Sequence, residues 1–357
     1  MAIVAIDCFC GCGGTTRGLL DSGIRVVKGI DVDPACEETY SLNNKPARFV
    51  CRDLTDMTPL ELMENVKLDP DDFLLLSGCA PCQPFSKQRP KGEGEMEGSE
   101  SQLSDGRRSL LLSFGMFVEA LQPEFVFVEN VPGIQKVAGN STFRRFLRIL
   151  ETCGYNYDFG VVDAKKYGVP QSRARFILIA SLLAPIEIPE PTHGKLKGLR
   201  PYRTVWSSIS RLPGIRAGQG HRRIPNHVAW RLSEQNLKRI RATPPDGGDR
   251  RDWPERLRLK CHKGVQGHTD VYGRMWWDRP APALTCRCVS LSNGRYGHPE
   301  QNRAISLREA AALQTFKADF KFRGSADKIA SLIGNAVPVN FARVFGDVFQ
   351  SCAKAVT

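Results

Sequence analysis

Apolar and polar positions follow two rhythms along the first half of the chain. Short apolar runs at 3–7, 25–30, 47–51, 73–77, 125–129 and 176–181 have the length and the β-branched or aromatic content of buried strands. Between them, residues 15–21, 34–42, 109–121 and 142–153 carry apolar side chains every three or four positions and predict helices, the last stopped by Gly154. Strands alternating with helices predict an α/β fold, with a mostly parallel sheet covered on both faces. Such sheets bind ligands at the carboxyl ends of their strands.

Two segments break this rhythm. Residues 89–107, RPKGEGEMEGSESQLSDGR, have almost nothing to bury and predict a mobile surface loop, of the sort used as a lid. Residues 186–300 are weakly periodic and rich in Arg, Gly and Pro, as expected of a smaller, irregular domain. Helical character returns at 307–314 and again from 326 onward. The predicted division is therefore 1–185 plus 326–357 for one domain and 186–325 for the other.

Charge sharpens that division. The chain of 357 residues carries a net charge of +12, and between Glu190 and Met275 there are 19 Lys and Arg against 7 Asp and Glu. The whole excess thus lies in one segment, which favours a polyanion-binding surface, nucleic acid foremost, over an ordinary solvated face. No apolar run approaches the roughly 18 residues of a membrane helix. FILIASLLAPI, 176–186, is interrupted by Ser181 and Pro185, and MAIVAIDCFC lacks the basic start of a signal peptide. Twelve cysteines without such a signal fit free thiols in a reducing, cytoplasmic compartment.

The candidate chemistry follows the predicted strands. DCFCGCGG, 7–14, opens a helix with glycines at 11, 13 and 14, but it is neither the dinucleotide fingerprint nor a P-loop. Its thiols, Cys8, Cys10 and Cys12, sit at every second residue and are a poor metal set. In GIDVDP, 29–34, Asp31 suits the two hydroxyls of a ribose and Asp33 suits a helix cap. Asp53, after the third strand, can accept from an adenine amino group. Three such loops in succession look like a nucleoside site without a phosphate clamp. SGCAPCQPFSKQ, 77–88, places Cys82 between Pro81 and Pro84. It can be read as a nucleophile on a stiff loop, a buried inert thiol, half of a metal site, or half of a redox pair with Cys79. FVFVENVPG, 125–133, puts Glu129 and Asn130 at the mouth of an apolar strand, where a carboxylate suits proton sharing.

Taken in order, these motifs resemble the DNA (cytosine-5) methyltransferases. The likeness rests on FCGCGG, PCQPFS at 81–86, DGRRSLL at 105–111, Glu129-Asn130-Val131, QSRAR at 171–175, RPAPALT at 279–285, SLREAAALQTF at 306–316 and GNAVP at 334–338. Lys317 stands where the family has proline, and Val32 where an aromatic often stacks on adenine. The resemblance implies a Rossmann-like, S-adenosylmethionine-dependent methyltransferase domain with a smaller target-recognition domain. It implies Cys82 as the nucleophile that adds to cytosine C6, and Glu129 as the group on N3 and the exocyclic amine. Arg173 and Arg175 would hold the base and the catalytic loop. Phe9, Gly11, Gly13, Asp31, Val32, Asp53, Leu54, Asn335 and Val337 would bind the methyl donor, and Cys79 would be a small packing residue. No metal is implied. The partner would be double-stranded DNA with its cytosine flipped out, bound by a monomer without a membrane or a stable protein partner, with or without a cognate restriction endonuclease. Three rivals stand beside this reading: a transfer-RNA methyltransferase of the same superfamily, a catalytically silent DNA-binding regulator, and a zinc module built on Cys261, His262, Cys286 and Cys288.

Overall fold

The structure, a computed structural model, describes residues 1–80, 99–135, 141–259 and 270–356. They form two compact units, one of Met1–Asp163, Ala174–Glu190 and Phe341–Thr357, the other of Ala164–Arg173 and Pro191–Asn340.

The first unit is built on a seven-stranded sheet. In chain order its strands are β1 (Ile3–Cys8), β2 (Arg25–Asp31), β3 (Arg48–Cys51), β4 (Phe73–Gly78), β5 (Phe125–Asn130) and β6 (Asn156–Asp163). A two-residue strand of the second unit, β7 (Gln171–Ser172), intervenes before β8 (Ala174–Ser181). The order is β3-β2-β1-β4-β5-β8-β6. The first five strands are parallel, and β8 runs antiparallel to both β5 and β6. The helices between the strands are α1 (Gly14–Asp21), α2 (Glu37–Asn43), α3 (Pro59–Met63), α4 (Ser99–Leu121) and α5 (Ser141–Thr152).

Burial explains why β1 and β5 read as continuous apolar runs: every residue in them is buried. On one face Leu76, Val126, Val128 and Phe176 pack with Phe114 of α4 and Phe146 of α5. On the other face Phe127 stacks on Phe345 of α10 (Val339–Ala355), with ring centroids 5.3 Å apart. Each such phenyl ring taken from water contributes about 1.5–3 kcal/mol. Polar anchors complete the frame. Lys28 is buried in β2, and its ammonium donates to the carbonyls of Leu62 and Glu64 at 2.7 and 2.9 Å, holding the end of α3 against the sheet.

Four expectations change. Strand β6 was hidden because Asp158 and Gly160 interrupt a pattern that is only half buried at the sheet edge. Residues 99–107, expected as loop, lie within α4; once past the glycine-rich stretch, SESQLSDGRR is dominated by residues that tolerate or favour helix. Residues 89–98 of that loop lie outside the described residues. Residues 326–340, expected with the first domain, cluster with the second unit. Finally, residues 326–355 are apolar and long enough to cross a membrane by composition, but 67% of their most apolar 18-residue window is buried in the protein. They form two helices, α9 (Ala326–Asn335) and α10, parted at Ala336–Pro338.

The second unit is irregular, with short helices α6 (Val205–Ile209), α7 (Glu234–Ala242) and α8 (Leu307–Leu313). Buried polar groups hold it together. Arg303 meets Glu309 at 2.6 and 2.7 Å, and Glu309 also accepts from the Ser306 amide in the capping box that starts α8. Burial lowers the His298 pKa to about 4, so that the ring 3.7 Å from Glu309 stays neutral. Gln314 donates to the carbonyls of Ile333 and Ala336 and accepts from Gln171, which explains why 326–340 belongs here. In the basic segment Arg250 and Arg274 are buried, Arg274 on internal carbonyls. Arg200, Arg203, Arg222, Arg223, Lys238 and Arg241 are exposed.

Candidate active site

Parallel pairing sets the carboxyl ends of β1, β2, β3 and β4 side by side, with Cys8 opposite both Ile30 and Gly78, and Asp31 opposite Cys51. The candidates of the first unit, Cys82 apart, hang from this rim or from the end of β5, with Arg175 on the neighbouring strand β8.

The chain leaves β1 through a tight loop. Phe9, Gly11 and Gly13 all have left-handed backbones, with φ of 62°, 52° and 88°. That conformation costs a non-glycine residue about 1–2 kcal/mol, so its appearance at Phe9 marks a shape enforced by its surroundings. The space beside Gly11 is open, whereas Gly13 is packed against the Asn44 side chain where α1 begins. Asp31 is fixed from two sides: the Gly11 amide donates to its Oδ2 at 2.8 Å and the Asp33 amide to its Oδ1 at 2.9 Å. Asp33 caps the next turn through Ala35, as expected. Val32 is 62% exposed, an apolar surface beside Asp31. Asp53 caps its own turn, both of its bonds falling on Oδ1, from the amide and the hydroxyl of Thr55. Leu54 has its side chain in the core, so only its backbone can face a ligand. The geometry leads us to expect that Asp31→Ala lowers affinity for a nucleoside ligand by about 10- to 100-fold, the weight of hydrogen bonds to a charged group, as read by calorimetric titration.

At the end of β5, Glu129 is buried and its Oε1 lies 2.9 Å from Nε of Arg175 on β8. Glu129 stands opposite Ile177, so Arg175 is its diagonal neighbour on the same face of the antiparallel pair. This pair presents a carboxylate and a guanidinium together. Asn130 donates from Nδ2 to the carbonyl of Ala80 at 3.3 Å, and the Cys79 amide donates to the Cys8 carbonyl at 3.4 Å. The chain leaving β4 is therefore anchored to both neighbouring strands up to Ala80. Cys82, with the prolines around it, lies outside the described residues. Burial pushes the Cys79 thiol well up, and its sulfur lies 3.5 Å from the Thr15 hydroxyl, the setting of an inert packing thiol.

The remaining candidates lie in the second unit. Arg173 is buried and donates to the carbonyls of Leu284, Gly334 and Ala336, where it braces backbone. Asn335 is exposed at the end of α9 and accepts from the Cys286 thiol at 2.9 Å, while the Val337 side chain is buried. Of the zinc alternative, Cys286 is engaged with Asn335 and Cys288 is buried, its thiol pushed up to about 12; Cys261 and His262 lie outside the described residues. Sequence reasoning missed one buried group on the rim, Asp7. A lone aspartate within an apolar strand was the available signal, because a buried carboxylate needs partners.

An open sheet of this order, with a glycine loop after β1, an acid at the end of β2 and no phosphate clamp, is the Rossmann-like fold of the methyltransferases. The chain matches the model of the C-5 cytosine-specific DNA methylases over residues 3–351 and belongs to that family. It is 39% identical to the type II methylase M.HgiDII of Herpetosiphon aurantiacus over 96% of this chain and 94% of that protein. It is 31% identical to the type II methyltransferase M1.HphI of Haemophilus parahaemolyticus, over 97% and 86%. Among solved structures, one described as a DNA modification methyltransferase encoded within an E. coli prophage superimposes with a TM-score of 0.74. It is 21% identical and covers 99% of this chain and all of its own. The activity is thus C5 methylation of cytosine in DNA.

Proposed function

We propose that this protein methylates C5 of a cytosine flipped out of a specific duplex sequence, using S-adenosylmethionine and a covalent bond from Cys82 to C6. The observation that carries the reading is the Glu129–Arg175 pair at the end of β5, set on the same sheet as the glycine loop and Asp31. Cytosine C5 is a weak nucleophile. Addition of the Cys82 thiolate to C6 makes an enamine of the ring, and C5 then takes a methyl group from a sulfonium, whose sulfur–carbon bond breaks to leave a neutral thioether. Glu129 holds N3 and the exocyclic amine as charge develops there, and Arg175 holds Glu129 and the O2 edge. Loss of the C5 proton to a base expels Cys82 and restores the ring. Arg173 acts through the backbone it braces.

The rim fits the donor. S-adenosylmethionine supplies an electrophilic methyl group on a sulfonium and carries no phosphate, which matches a glycine loop without a P-loop. The open space at Gly11, the Asp31 carboxylate and the exposed Val32 suit its ribose and adenine, with Phe9, Gly13, Asp53 and the backbone of Leu54 around them. Asn335 and Val337, in the second unit, keep the role their motif implies. The exposed arginines and lysines of the basic segment suit DNA phosphates and guanine edges. A base must leave the stack for attack above its plane. Expression in a bacterium free of DNA methylation, followed by base-resolution mapping of 5-methylcytosine, tests the reading. Methylation at one short sequence context is expected; unmodified DNA with 5-methylcytosine in RNA would overturn it.

A further inference from the structure

The mechanism above makes no use of Asp7, the last residue but one of β1. Its carboxylate is fully buried. Its Oδ2 accepts from the Thr16 amide at 3.0 Å and the Thr16 hydroxyl at 2.6 Å, and its Oδ1 accepts from the Ser77 hydroxyl at 3.1 Å. The Tyr40 hydroxyl of α2 lies 3.1 Å from the Thr16 hydroxyl and continues the chain. One carboxylate thereby ties together β1, the first turn of α1 and the end of β4. The glycine loop, 9–13, spans the first two of these, and the segment leading to Cys82 leaves the third. An apolar residue at position 7 would suit the surrounding core better. A buried charge kept at such a junction points to a task other than packing.

We propose that Asp7 is a positioning residue for donor binding: its ionised carboxylate holds the loop between β1 and α1 in the shape that accepts S-adenosylmethionine, and protonation releases it. The inference rests on the donor-site reading given above. Ionised Asp7 accepts all three bonds, whereas a protonated acid must itself donate and gives up one of them. Burial raises its pKa to about 6, against the opposing effect of the Thr16 and Ser77 bonds, and the Asp31 charge adds to the rise. The other groups facing it are the thiols of Cys8, Cys10, Cys12 and Cys79 and the Tyr40 hydroxyl, all pushed up by burial and neutral near that pH. The sign follows. Donor binding favours the ionised form, so affinity is full above pH 6 and falls as pH drops through it, and binding near pH 6 releases a proton.

The test is calorimetric titration of the purified full chain with S-adenosylmethionine from about pH 5 to about pH 8, in buffers of different ionisation enthalpy. Wild-type affinity should fall up to about tenfold per pH unit below 6, with proton release. Asp7→Asn should bind about tenfold more weakly at pH 8, without the pH dependence. Its melting temperature at pH 8 should match or exceed the wild type, since a neutral isostere avoids burying a charge; a purely structural role would lower it. Thr16→Val removes a bond that favours the ionised form, so its midpoint should move to higher pH; this variant decides the matter if Asp7→Asn fails to fold. Wild-type binding that is flat with pH, a pH-dependent Asp7→Asn, or an unmoved Thr16→Val midpoint would overturn the proposal. Failure of the wild type to bind at pH 8 would instead overturn the donor-site reading.

Discussion

Cys82→Ser is expected to lower methyl transfer by about 10³-fold or more while duplex binding stays within a few-fold. A thiol near neutrality is a few per cent thiolate, and the thiolate is the nucleophile; a serine hydroxyl supplies almost no alkoxide at that pH. Volume and backbone preference barely change, so the loss reports chemistry. Two measurements separate the steps: incorporation of a labelled methyl group, and a gel shift with the same duplex. A third looks for the bond itself. In a duplex with fluorine at the target C5 no proton can leave, so the wild type should stay attached through denaturing electrophoresis and Cys82→Ser should not. Cys79→Ser is the control, because its thiol is pushed well up by burial and rests near Thr15. It should keep most of the activity. Near wild-type turnover in Cys82→Ser, or loss of the trapped complex in Cys79→Ser alone, would sink the assignment.

The parallel strands were legible because complete burial leaves an unbroken apolar run, and the loops after them because glycine, aspartate and proline have few other uses there. Strand β6 was not legible, since an edge strand carrying Asp158 and Gly160 shows neither unbroken apolarity nor clean alternation. Single arginines were also opaque. Arg175 and Arg173 sit two residues apart in one motif, yet one pairs with a buried carboxylate while the other braces carbonyls near Leu284 and Gly334. Arg274 counts toward the basic excess but is spent on backbone carbonyls. A guanidinium's five donors serve a phosphate, a base or a buried carbonyl equally well, and only the fold selects among them. SLREAAALQTF shows the same limit. Its Glu309 and Gln314 prove to be buried tie points of the second unit.

Glu129→Gln is expected to lower turnover by about 10²- to 10³-fold, the cost of removing one preorganised group from a site of developing charge. Glu129 and Arg175 are joined at 2.9 Å with side chains 7% and 15% exposed, so little solvent screens them. Glutamine keeps the shape and can still accept from Arg175 through its carbonyl oxygen. It cannot pass a proton to N3, where negative charge develops as the thiolate adds to C6, and so cannot neutralise the adduct as a carboxyl group does. The loss should therefore appear in kcat more than in the KM for DNA, because the interaction strengthens as the adduct forms. Leaving Arg175 without an anion also costs stability, so the melting temperature should fall by a few degrees. That fall alone would not empty the active site at the assay temperature. Glu129→Asp separates the two effects: it restores the charge with a shorter reach, and should recover the melting temperature more completely than the turnover. Full activity in Glu129→Gln would mean that another group attends N3, and a loss confined to the KM for DNA would make Glu129 a binding residue only.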